Sequence, residues 1–255
     1  MSARLRLRGV SGLLRRPPAP GLLVASIIGW AALVWSVASD GAEQAGDTGR
    51  TLHAAHVMDA ASQTVGSTLM PHSVAMWLAM ILAMTPLLLL REVGRLWRGS
   101  LRRRRLPTIA VFLAGHGLVW VLLGLVVVPL SQLIAASAGS IWLAVALTLI
   151  WQCSPLRQRS LNACHRAPTL RVFGAVAHGD AWRYGVITGG ACAAACGPIM
   201  LLVLIAPEFH VAAMVVATVI LTAERYQPAR QPRWRLPLAP ESPEWRGVRA
   251  GAALR

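Results

Sequence analysis

From Leu106 to Leu156 the chain runs for 51 residues without one charged side chain. A helix at the surface of a soluble fold pairs an apolar stripe with a charged face, whereas a bilayer-spanning helix needs about 20 consecutive apolar residues. Four further uncharged runs, Pro17–Ser39, Ala60–Leu90, Tyr184–Pro207 and Phe209–Ala223, repeat the pattern. The formal net charge is nevertheless +15, and all 25 basic residues are arginine. Charge and apolarity are therefore segregated along the chain. A nucleic-acid-binding face needs basic charge spread over a soluble surface, so a nucleic-acid partner is not expected. Arginine-rich loops between membrane spans account for both features.

The fold class expected is all-α: a polytopic membrane protein of about six transmembrane helices, near residues 20–38, 70–90, 107–130, 139–155, 184–206 and 209–224. The long uncharged run divides between Pro129 and Ser140, where Ser131, Gln132, Ser137, Gly139 and Ser140 supply turn chemistry. The sixth segment is the shortest, since fifteen uncharged residues cover about 22 Å of a roughly 30 Å hydrocarbon core. Six alternating spans put twenty-four arginines and five carboxylates on one side. Arg50 is left on the other with Asp40, Glu43, Asp47, Asp59 and Glu208. By the positive-inside rule both termini are then cytoplasmic and the protein sits in the inner (plasma) membrane. The organisation follows: a basic N-terminus over 1–19; a membrane domain over 20–224, with an extracytoplasmic loop 39–69 and cytoplasmic loops 91–106 and 156–183; and a Pro/Arg-rich tail over 225–255 expected to be disordered or at the membrane surface. A rival for the first segment is a cleaved signal peptide, because Ser36-Val37-Ala38 resembles a small-x-small cleavage site.

Chemistry in the spans is carried by sulfur and imidazole. His72, Met76, Met80 and Met84 are spaced by four and form one ridge about 18 Å long. Thioethers at that spacing suit Cu(I). The fifth segment carries Thr188, Cys192, Cys196 and Met200 at the same spacing, and two thiols four apart on a helix can reach one ion. Because the two segments run in opposite directions, Met76 is expected level with Met200, Met80 with Cys196 and Met84 with Cys192. A packing reading stands beside this one. Methionine and cysteine are common apolar filler, and Gly189, Ala193 and Gly197 form a small-xxx-small row that explains a close helix contact without metal. Pro198 would free the carbonyl of Ala194 under either reading.

Weaker candidates lie outside the spans. His53, His56 and Met58 share the acidic loop upstream of the methionine ridge, and Cys153, Cys164 and His165 lie among cytoplasmic arginines. His116, four residues before Trp120, is expected to be a packed, hydrogen-bonding histidine. Trp97, Trp151 and Trp182 fall near inner boundaries, where indoles prefer to lie.

The order of motifs resembles a family of predicted metal-binding integral membrane proteins, bacterial polytopic chains labelled copper chaperones. The resemblance runs over about residues 70–228. Its carriers are Met76-Trp77 to Thr85-Pro86, Gly115-His116 with Trp120, Trp151-Gln152-Cys153-Ser154-Pro155-Leu156-Arg157, Cys164, Cys192 and Cys196 with Met200, and Met214 with Glu224. Ser160 and Ala195 stand where the family has cysteines, Gly197 where it has tryptophan, and Thr188 where it has histidine, which marks a divergent member. The resemblance implies copper as the metal and, with it, a copper-handling partner protein beside the lipid bilayer. The leading expectation is a protein that binds or hands on Cu(I) through Cys192, Cys196, Met200, Met76, Met80, Met84 and His72, with His53, His56, Met58 and Cys164 as secondary ligands. The alternative is a membrane scaffold in which the same rows are packing elements. An enzyme is not expected, because no Ser/His or paired-carboxylate arrangement falls in the spans.

Overall fold

The computed structural model describes residues 17–47, 71–135, 140–165, 168, 171, 176–205 and 209–237. Among these the structure is all-helical: α1 (Ala19–Asp47), α2 (Pro71–Leu88), α3 (Leu90–Gly99), a short 3₁₀ turn (Arg102–Arg104), α4 (Arg105–Ala135), α5 (Ser140–Cys153), α6 (Pro155–Cys164), α7 (Val176–Ile205) and α8 (His210–Arg225). Helices thus stand at all six expected places, but fewer are long enough to span. Ala19–Ser39, Arg102–Ile134 and Val176–Ile205 are long and apolar enough to cross a membrane, and α2 with α3 makes a fourth if that pair, bent by 61°, is one span. The other two expected places are held by the shorter helices α5 and α8. With 14 and 16 residues they reach only about 21 and 24 Å. An uncharged window fixes where a helix is permitted, whereas its length is set by breaks such as Ser154-Pro155. There Ser154 caps α6 by accepting from the Arg157 amide at 3.2 Å.

Two helix pairs make the frame: α1 lies antiparallel along α2, and α4 parallel along α7, where Phe112, His116 and Leu123 meet Gly185, Gly189 and Gly197 in that order. Both contacts depend on glycine. A Cβ on Gly29 would stand 2.3 Å from the Ala83 amide nitrogen, and one on Gly185 would stand 2.1 Å from the Phe112 carbonyl oxygen. The closest α4–α7 approach therefore falls at Gly185 and Gly189. The expected row of Gly189, Ala193 and Gly197 is displaced by about one turn, since a Cβ at Gly197 would meet Leu123 at an ordinary 3.7 Å. Ser26 of α1 donates to the Ala83 carbonyl, next to the turn in which Pro86 supplies no amide to Leu82.

The amphipathic helix α3 turns off α2 and buries Leu90, Val93 and Leu96 while exposing Arg98. Its apolar side joins Ile109, Phe112 and Tyr184 in a small core at one end of the bundle. Helix α8 touches α1, α2, α6 and α7, and so closes the space between the two pairs. After α8 the chain returns over the α5–α6 junction. The Arg235 amide donates to the Cys153 carbonyl at 3.0 Å, and the Asn162 side chain holds both backbone groups of Arg230.

Candidate metal centre

The space between the pairs is filled by sulfur. Met80 and Met84 of α2, Cys192, Cys196 and Met200 of α7, and Met214 of α8 belong to one continuous buried cluster, each at most 2% exposed. Met76 is half-buried and packs on its edge. The methionine and cysteine helices are not direct neighbours, because α2 lies against α1 and α7 against α4. Their side chains meet across the core, and α8 brings Met214 to the same place. His72 lies in the first turn of α2. His53, His56 and Met58 lie outside the described residues.

Helical spacing by four puts the Cys192 and Cys196 sulfurs 4.0 Å apart. Two metal–sulfur bonds of about 2.3 Å span up to about 4.6 Å, so both thiols can bind one ion at an open angle with the helix unchanged. Among the described residues no three His, Cys, Asp or Glu side chains converge on one point. Any further ligand in the cluster is therefore a thioether, which makes the donor set soft throughout, suited to Cu(I) and not to an oxygen-seeking ion such as Mg²⁺. Cys153 is half-buried, and Cys164 is buried near the end of α6. Burial pushes the Cys164 thiol up to about 12 against the opposing pull of Arg225, so in the metal-free protein it is a neutral thiol.

The walls are aromatic. Trp77 Nε1 donates to the Trp120 carbonyl at 3.1 Å, and the two rings lie 6.1 Å apart. Trp120 Nε1 donates in turn to His116 Nε2 at 3.0 Å, so His116 is a fully buried packing residue with an indole partner. Trp151 Nε1 donates at 2.8 Å to the carbonyl of Ala194, the group left without an amide partner by Pro198.

The composition and spacing of the sequence did not reveal the charges beside the cluster. Arg225 pairs with Glu92 at 3.4 Å, and Arg157 forms a two-pronged pair with Glu224; all four side chains are buried. The Arg225 guanidinium acts electrostatically on Cys164, Cys192 and Cys196, where it would compensate the negative charge that thiolate ligands bring into a medium of low dielectric. Arg91 reaches His165 Nδ1 at 3.4 Å and the Arg225 carbonyl at 3.3 Å. One sequence signal did exist: Glu92 is the single carboxylate among the seven arginines between Leu90 and Leu106. Met214 was overlooked as a site residue because it stands alone on its helix, without a spacing partner.

Among the described residues the fold is all-helical, with three or four helices of membrane-spanning length, and its core offers two thiols and several thioethers to a soft cation. Residues 74–238, more than half of the chain, match the family model described as PpoB2, copper chaperone. The chain belongs to this copper chaperone family. No curated protein and no solved structure matches it.

Proposed function

We propose that this is a multi-pass inner-membrane protein that binds Cu(I) and hands it to a partner, with the copper as cargo rather than as a resident cofactor. The observation that carries the reading is the pair Cys192 and Cys196, with sulfurs 4.0 Å apart inside a buried methionine cluster. Membership of a copper chaperone family supports copper over other soft metals. Cys192 and Cys196 hold the ion, and thioethers drawn from Met80, Met84, Met200 and Met214 complete its coordination. Met76 and His72 form the approach along α2, and the loop residues His53, His56 and Met58 collect the metal outside. The role is binding and transfer without catalysis. With all six helical segments alternating across the bilayer both termini are cytoplasmic, which the arginine distribution supports. Reporter fusions test this: equal cytoplasmic signals at the two ends are expected, and opposite signals sink the topology.

Competitive titration of the purified protein against a chromogenic Cu(I) chelator tests the site. Cys192→Ser/Cys196→Ser should weaken binding beyond the roughly 10–100-fold typical of outer-shell changes. Met80→Leu/Met84→Leu conserves volume and should lower affinity while leaving thermal stability within about 1.5 kcal/mol. Thiolate ligands must lose protons, so affinity should fall as pH falls. Unchanged affinity in the cysteine variant would instead support the scaffold reading, in which sulfur only packs the core.

A further inference from the structure

A groove of about 900 Å³ opens between α4, α5 and α7, on the outer side of Val127, Leu123 and Leu201, which back onto the core cluster. Leu123, Val127, Leu147 and Leu201 line its length. Its few polar groups are engaged within the protein: Thr148 donates to the Pro198 carbonyl at 3.4 Å, the Trp151 indole is held by Ala194, and Ser154 caps α6. An occupant must therefore be apolar along the groove. Hydrocarbon chains, which carry no polar group along their length, meet that requirement.

One end of the groove has a different character. Trp234, 65% exposed, closes it at the turn where the chain returns from α8. The neighbours Arg233 and Arg235 border a small polar cleft that shares Ser154 with the groove. The one carboxylate lining that cleft, Glu224, is taken by Arg157. An apolar slot thus ends in positive charge beside an indole. This is the chemistry that receives an anionic lipid headgroup at the membrane surface.

We propose that the groove binds an anionic phospholipid of the surrounding bilayer, with acyl chains lying between α5 and α7 and the phosphate held by Arg233 and Arg235. This rests on the membrane part of the function proposed above and is independent of copper. The experiment is native mass spectrometry of the full chain, released from mild detergent after titration with phosphatidylglycerol or phosphatidylcholine. Phosphatidylglycerol should be retained and phosphatidylcholine displaced. Arg233→Gln/Arg235→Gln should weaken phosphatidylglycerol retention roughly thirty-fold, from about a five-fold loss per arginine, and leave phosphatidylcholine unaffected. Leu147→Trp, at an exposed position that folding tolerates, should block both lipids while Cu(I) titration stays as in the parent. Equal retention of the two lipids, undiminished phosphatidylglycerol binding in the glutamine variant, or a co-purifying polypeptide displaced by Leu147→Trp would overturn the lipid site alone. Extraction of the protein from membranes by alkaline carbonate would overturn the membrane reading itself.

Discussion

Proline at position 198 leaves the Ala194 carbonyl without its helical donor, and the Trp151 indole supplies the missing hydrogen bond from α5 at 2.8 Å. A carbonyl orphaned inside an apolar bundle is costly, so this single contact fastens a short helix to the cysteine-bearing one. Trp151→Phe should cost about 1–2 kcal/mol in detergent unfolding. In a Pro198→Ala background, where a restored backbone amide can serve the Ala194 carbonyl, the same change should cost much less; equal costs in both backgrounds would contradict the pairing. The freed carbonyl was legible in the sequence because proline chemistry is local. Its partner was not: a tryptophan near a predicted boundary is accounted for by the interface alone, and only tertiary packing brings its N–H to that oxygen.

Between elements, the decisive contacts are buried charges. Helix α3 packs its apolar side on Ile109, Phe112 and Tyr184, and Glu92 links it to Arg225 at the end of α8 through side chains 2% and 4% exposed. Removing one partner strands the other without water. Glu92→Gln should therefore destabilise by about 3–5 kcal/mol, and Glu92→Gln/Arg225→Met should recover a large part of that loss. A cost below about 1 kcal/mol for the single change would mean that the pair is not buried in the folded protein. Helix positions were legible from uncharged windows, since absence of charge is a property of the segment itself. The ion pairs were not, because counting arginines as loop residues treats each charge as solvated, whereas Arg157 and Arg225 at helix ends fold inward onto carboxylates 67 and 133 residues away in sequence. The displaced glycine contact has a related origin. Small-residue rows mark several possible crossing points, and the choice of Gly185 and Gly189 is made by the partner helix, whose Phe112 and His116 backbone lies there.

At the scale of the whole molecule, the proposed orientation rests on the arginine excess and the proposed function on the buried sulfur. Among the described residues three or four helices reach spanning length, and the shorter α5 and α8 pack against them. Helix α8 completes the site by adding Met214 and Arg225 to residues brought by α2 and α7. The sulfur rows on α2 and α7 were legible from spacing, but the convergence of three helices was not, because it depends on α8 wedging between the α1–α2 and α4–α7 pairs. On the function proposed above, this convergence holds copper through sulfur. X-ray absorption spectroscopy of the Cu(I)-loaded protein measures the ligands directly. A first shell of sulfur alone at about 2.3 Å is predicted, losing its shortest contributions in Cys192→Ser/Cys196→Ser. A first shell dominated by nitrogen or oxygen, or one identical in the two proteins, would contradict it.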